Sequence, residues 1–206
     1  PEALWALDGA TWSVIGPARG GISQLLWDDR SSSLLAVATP PGASGFEAPA
    51  ILRWDGAAWI ELPGAGVSAP RGLRPSVYTF DGGTGPMGTI FGLHLGTDES
   101  TEWRYDLAQQ RWTFQELSDA EAPASNGSST PSSLAFDRSR GEVIAIVPSG
   151  SVEPHQTWAR SNLGWEQRGS TSTTEFESVF YNALAGQLWM YALDRMYAWD
   201  GAAWAE

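Results

Sequence analysis

The chain has 206 residues, 12 basic against 24 acidic side chains for a formal net charge of −12, and no cysteine. With 42% hydrophobic and 17% charged residues it can bury a core, which excludes wholesale disorder, and no apolar run approaches the ~18 residues of a membrane span. All the basic residues are arginine, so a polybasic nucleic-acid or anionic-lipid surface is not expected; without cysteine, disulfides, thiol nucleophiles and thiolate zinc sites are all removed.

In chain order, two kinds of hairpin alternate. Leu4–Trp12 reads LWALDGATW, apolar residues around an Asp-Gly turn, which is a strong short-range hairpin signal because glycine supplies the positive φ of a tight turn. Gln24–Ala38 is of the second kind: an apolar strand ending in aromatic-Asp, a polar turn, then another apolar strand. Leu52–Trp59 (LRWDGAAW) returns to the first kind, and Ser76–Leu93 to the second. Glu102–Trp112 has a longer turn, Ser133–Val147 repeats the aromatic-Asp pattern, and Thr157–Trp165 turns at Ser161-Asn162, where Asn tolerates the same left-handed geometry. Ser178–Ala192 and Met196–Trp204 complete the series, the last repeating WDGAAW verbatim. The closing tryptophans Trp12, Trp59, Trp112, Trp165 and Trp204 are 47, 53, 53 and 39 residues apart, and the turn anchors Asp28, Asp81, Asp137 and Asn182 follow at 53, 56 and 45.

Two hairpins per repeat of about 48 residues make a four-stranded antiparallel sheet, and a tandem array of such sheets is the signature of an all-β propeller. The expected organisation is a half blade at 1–16 and blades at about 17–62, 70–118, 130–169 and 173–206, forming a single domain. The closing tryptophans are expected to fill the interfaces between blades, and Asp28, Asp81, Asp137 and Asn182 to accept backbone N–H groups in their turns. The segment from Asp119 to Thr130 reads as a long inter-blade loop. The half blade holds only the outer pair of strands. An inner pair supplied after Glu206 is favoured over a five-blade ring with one blade half built. Without it the chain is expected to self-associate, swap strands or close imperfectly.

These residues resemble the bacterial kelch-type repeat, with its aromatic-Asp-turn-Gly hairpin, its tW-x-aromatic-Asp-Gly-x-x-W hairpin and its Pro-rich link bearing an Arg. Phe136-Asp137 with Gly141, Thr157-Trp158, Trp54-Asp55-Gly56 with Trp59, and the links Gly16–Arg19 and Ala69–Arg71 carry the likeness over nearly the whole chain. The family's double glycine after the second strand is kept only as Gly92. The absence of Lys beside abundant Arg, Ala, Gly and Pro fits a GC-rich bacterial genome. The Asp-box of sialidase propellers is excluded on spacing, since Gly directly follows Asp in every Asp-Gly copy here. A copper-radical oxidase on a kelch-like propeller is excluded by the missing cysteine.

No residue is assigned a catalytic role, and no metal or cofactor is expected. The histidines His94 and His155 lie in corresponding connections of successive blades, near Asp98, Glu99 and Glu153, but no third ligand shows a motif-like spacing. Arg19, Arg71 and Arg74 lie on links entering blades, where a structural role outweighs convergence on a carboxylate ligand. Arg19, Arg71, Arg74, His94, Asp98, Glu99 and His155 are the candidate binding residues of one loop face. The reading is a non-catalytic recognition or scaffold module for a protein or carbohydrate partner, secreted, periplasmic or at the cell surface. The alternative is an extracellular glycan hydrolase or lyase with an acid and arginine cluster at the propeller mouth; the scattered acidic residues argue against it.

Overall fold

Every alternating apolar run forms a strand, each antiparallel to its sequence neighbour within its sheet. The computed structural model describes residues 3–17, 19–40, 48–64, 75, 77–82, 88–96, 99–124, 131–149, 154–171 and 178–206. Strands β1 (Ala3–Asp8) and β2 (Thr11–Pro17) form a two-stranded half blade. Blade 1 is β3 (Ile22–Asp28), β4 (Ser33–Ala38), β5 (Ala50–Trp54) and β6 (Trp59–Leu62); blade 2 is β7 (Val77–Asp81), β8 (Thr89–His94), β9 (Ser100–Asp106) and β10 (Arg111–Leu117). Blade 3 is β11 (Ser133–Asp137), β12 (Glu142–Val147), β13 (Gln156–Ser161) and β14 (Gly164–Ser170); blade 4 is β15 (Ser178–Asn182), β16 (Gln187–Ala192), β17 (Arg195–Trp199) and β18 (Trp204–Ala205). The four sheets stand in a propeller ring with the half blade as a partial fifth. Their first strands touch in sequence, β3 with β7, β7 with β11 and β11 with β15, and together line a central cavity of about 440 Å³.

The turns follow from the residues that open them. In the verbatim WDGAAW repeats, Trp54 pairs with Trp59 and Trp199 with Trp204 across a four-residue loop. Asp55 Oδ1 accepts the N–H groups of Ala57 (2.8 Å) and Ala58 (2.7 Å), and Asp200 Oδ1 accepts those of Ala202 and Ala203 at the same distances. Gly56 and Gly201 sit at φ of 103° and 106°, a region closed to most side chains. The Asp8-Gly9 copy makes a tighter, two-residue turn with Asp8 opposite Thr11. In the inner hairpins, Asp28 accepts from the N–H of Arg30, Asp137 from the N–H of Ser139 and a guanidinium N–H of Arg140, and Asn182 from the N–H groups of Leu184 and Ala185. Asp81 opens the corresponding turn of blade 2, whose residues 83–87 lie outside the described residues.

The core lies between blades because each sheet is apolar on both faces. Trp103, Tyr105 and Trp112 of blade 2 pack against Leu26, Val37 and Ile51 of blade 1, and Tyr197, Trp199 and Trp204 of blade 4 against Ala135, Ile144 and Ile146 of blade 3. Burial pushes the Tyr105 phenol up to about 12, and its hydroxyl donates to the Pro63 carbonyl at 2.6 Å. The closing tryptophans Trp112 and Trp204 reach back to the preceding blade through the indole N–H, Trp112 to the Pro49 carbonyl at 2.9 Å and Trp204 to the Thr157 hydroxyl at 2.9 Å, whereas the buried Trp59 indole N–H has no partner among the described residues.

Trp12 is the exception to the expected burial of the closing tryptophans. Trp112 is fully buried, Trp204 is buried, and Trp59 and Trp165 are half-buried, but Trp12 is 62% exposed, with Trp5, Leu7 and Val14 exposed beside it. By register these four share one face of the half blade, since Trp5 pairs with Val14 and Leu7 with Trp12. In blade 2 the corresponding face, with Trp103 and Trp112, is covered by the preceding blade. Among the described residues no strand covers the half blade on that side. Its other face is closed against blade 1, where Gly16 lies directly on the Trp54 indole with no room for a Cβ.

Trp112→Ala is expected to cost about 3–5 kcal/mol in urea unfolding, through lost transfer energy and an unfilled cavity. Trp12→Ala, at the same place in the repeat, should change stability by no more than about 0.5 kcal/mol. Acid should also act through the outer turns. The Ala58 and Ala57 N–H groups hold the Asp55 carboxyl below the usual range, and those of Ala203 and Ala202 do the same for Asp200. Such a group stabilises the fold above its unfolded pKa of about 3.9, and that contribution is lost as pH falls through its lower folded value. The double variant Asp55→Asn, Asp200→Asn keeps the acceptor oxygens, so its urea midpoint should fall less steeply with acidification below pH about 4.

Candidate functional site

Because the strands of each blade alternate in direction, the turn between its first and second strands and the turn between its third and fourth emerge at one end of the propeller. The connections between second and third strands, and the links between blades, emerge at the other. The two ends differ in chemistry.

The loop end carries Arg19, His94, Glu99 and His155 of the residues singled out in the sequence. Arg19 donates to Glu61 at 2.8 Å across the start of blade 1, an exposed pair. His94 ends β8, Glu99 immediately precedes β9 and His155 immediately precedes β13. The His155 backbone is fixed by Thr171, whose hydroxyl accepts from its N–H at 3.0 Å and whose own N–H donates to its carbonyl at 2.8 Å. Arg71, Arg74 and Asp98 lie outside the described residues. Among the described residues, no group of three histidine or carboxylate side chains is placed to hold a metal ion.

The turn end holds a polar cleft between blades 2 and 3 whose key residues the sequence reading did not single out. Its organiser is Glu102 on β9, only 1% exposed. Oε1 accepts from Arg160 Nε at 2.6 Å and from the Trp165 indole N–H at 2.7 Å; Oε2 accepts from Arg104 at 3.2 Å and from a second Arg160 nitrogen at 3.4 Å. Arg160 also donates to the Ser161 carbonyl. The Arg104 guanidinium carbon lies 5.7 Å from the Phe91 ring centroid. The two guanidiniums border a cavity of about 230 Å³ with Thr89, Phe91, Asp81 and Asn162. It adjoins a cleft of about 490 Å³ that shares Asp81, Phe136, Gly141 and Asn162 and runs to Asp29, Arg30 and Arg138. An Arg138–Asp29 ion pair joins blades 3 and 1 there, with Arg138 also stacked over the Tyr181 ring at 5.2 Å.

The alternation of faces explains how this cluster arises. On β9, Trp103 and Tyr105 face blade 1, so Glu102 and Arg104 face blade 3. On β13, Trp158 and Arg160 face blade 2. Aligned on the turns, Glu102 occupies the position of Leu4, Ile51, Thr157 and Met196, and Arg160 that of Leu7, Trp54, Tyr105 and Trp199. A complementary acid and base therefore replace mostly apolar residues on the two sides of one junction. That double departure from the repeat was the available sequence signal, and it becomes a pair only once blade order places the two strands together.

Breaking this cluster should be costly and replacing it should not. Glu102→Gln leaves Arg160 buried without its counter-charge and is expected to cost about 3–5 kcal/mol. The double variant Glu102→Ile, Arg160→Tyr installs the residues that blades 1 and 2 hold at these positions, Ile51 and Tyr105. It should unfold in urea within about 1 kcal/mol of the parent, since a packed apolar pair commonly matches a buried ion pair.

No family model matches the chain, and no curated protein matches it. Among solved structures it is similar to the Dos1 propeller, with 13% identity and a TM-score of 0.52 over 92% of this chain and 48% of that one. It is also similar to a chain of a nidogen/laminin complex, with 12% identity and a TM-score of 0.55 over 94% of this chain and 65% of that one. The chain thus spans about half to two thirds of the length of these structures, and at such identities the likeness establishes the β-propeller fold.

Proposed function

We propose that the chain is a non-catalytic recognition module of kelch-like type, in which rigid blades present one end of the propeller to a protein or glycan partner outside the bacterial cytoplasm. The observation that carries this reading is the turn-end cleft, where Glu102 holds two arginines in fixed positions between blades. Such an arrangement suits binding, because charged donors whose orientation is set in advance lose little freedom when a partner arrives. Acid–base chemistry requires carboxylates available to exchange protons in one cleft. Here Glu102 accepts from three side chains, and Asp28, Asp55, Asp106, Asp137 and Asp200 accept backbone N–H groups in their turns. A propeller chain within a nidogen/laminin complex supports the use of this fold as a platform for other proteins.

The loop end, with Arg19, His94, Glu99 and His155 and with Arg71, Arg74 and Asp98, is a second contact surface in this proposal. The apolar face of the half blade, with Trp5 and Trp12, favours self-association of the chain.

Screening the purified chain against immobilised glycans and proteins should yield saturable binding with no cleavage of the bound molecule, and light scattering on the same samples reports self-association. Turnover of a glycan, or the absence of binding across both arrays, would overturn the recognition reading.

A further inference from the structure

Building on the recognition reading, we propose that the cleft between blades 2 and 3 is a carboxylate-binding site with Arg104 as its anchor and Arg160 as a positioning residue. Four charges meet there, Glu102 and Asp81 against Arg104 and Arg160, and of the two guanidiniums Arg104 is the exposed one, at 49% against 16%. Arg160 is consumed internally. Its Nε and one terminal nitrogen serve Glu102 and its other terminal nitrogen serves the Ser161 carbonyl, and its side chain is mostly buried.

Arg104 is different. It gives a single N–H to Glu102, rests on the Phe91 ring and remains half-exposed on the cavity wall. Among the described residues no other acceptor takes a guanidinium N–H from it. Thr89 and Asn162 line the same cavity, and among the described residues their side chains have no hydrogen-bond partner. An arginine braced by a carboxylate and an aromatic ring, with N–H donors to spare, is matched in geometry by the two oxygens of a carboxylate. Charge favours a monoanion over a dianion: Glu102 and Asp81 already balance the two guanidiniums, so a doubly charged phosphate would meet more repulsion than a carboxylate.

A carboxylate of this kind is carried by acidic side chains and chain ends of proteins and by sugar acids. The test separates the two. The Trp165 indole N–H, bonded to Glu102, reports on the site by NMR. The full chain is titrated with N-acetylglutamate amide and with glucuronate, and in parallel with the neutral isosteres N-acetylglutamine amide and glucose. A saturable shift of the Trp165 indole resonance is expected with at least one acid and with neither neutral partner, and the acid that binds identifies the source. Arg104→Gln should weaken that binding about tenfold or more at an unchanged thermal midpoint, since it removes a charged hydrogen-bond donor from a half-exposed position. The double variant Glu102→Ile, Arg160→Tyr keeps Arg104 but removes its brace, and should also weaken binding while remaining folded.

No saturable shift from either acid, equal shifts from the neutral isosteres, or undiminished binding by Arg104→Gln would overturn the proposal. An array partner bound equally well by Arg104→Gln would leave the recognition reading standing and this site refuted. Binding of a small acid in the absence of any array partner would do the reverse.

Discussion

A four-stranded sheet with apolar side chains on both faces cannot bury them by itself, and almost everything in this molecule follows from that constraint. Each blade covers the face of its neighbour, and the large aromatic side chains of the outer hairpins cross the gap. Trp103 and Trp112 lie edge to face at 5.9 Å between centroids, and Tyr105 is 5.2 Å from the same Trp112 ring, so one indole ties β9 and β10 into a packed unit against blade 1. The same packing orients polar groups, because an indole buried between blades carries an N–H that needs an acceptor from the neighbour. Pro49, Thr157 and Glu102 serve as those acceptors for Trp112, Trp204 and Trp165.

The junction between blades 2 and 3 solves this requirement with a charge. Where Thr157 offers a neutral hydroxyl to Trp204, Glu102 offers a carboxylate to Trp165, and burying that carboxylate demands arginines. Once Arg160 and Arg104 are drawn in, two guanidiniums surround one buried carboxylate, with Asp81 on the wall of the same cavity. A repeat that tolerates apolar residues at these positions elsewhere has no packing reason to place an ionic cluster here. Such local departures from an otherwise consistent pattern are where function is expected to be lodged.

The half blade shows what the aromatic repeat does when its cover is absent. Its hairpin forms, pairs in register from Trp5 to the Asp8-Gly9 turn and on to Val14, yet Trp5 and Trp12 stay in solvent while Trp103 and Trp112 are wholly buried. Hairpin formation is a local property of alternating residues and a glycine turn. Burial is a property of the ring.

The sequence by itself determined the strands, the alternation of two hairpin kinds, the blade period and therefore the propeller, because each rests on short-range chemistry: period-two alternation, Asp-Gly turns and regularly spaced tryptophans. Residues 22–28, 77–81, 133–137 and 178–182 are the inner strands where the aromatic-Asp pattern places them. Only the tertiary structure decided which tryptophans are buried, since Trp12 and Trp112 close equivalent hairpins and differ solely in whether another blade lies against them. It also decided where the polar cleft lies. Glu102 and Arg160 are 58 residues apart and share no local motif, and their meeting depends on which face of each strand looks toward which neighbour. That relation exists only once the blades stand in order around the axis.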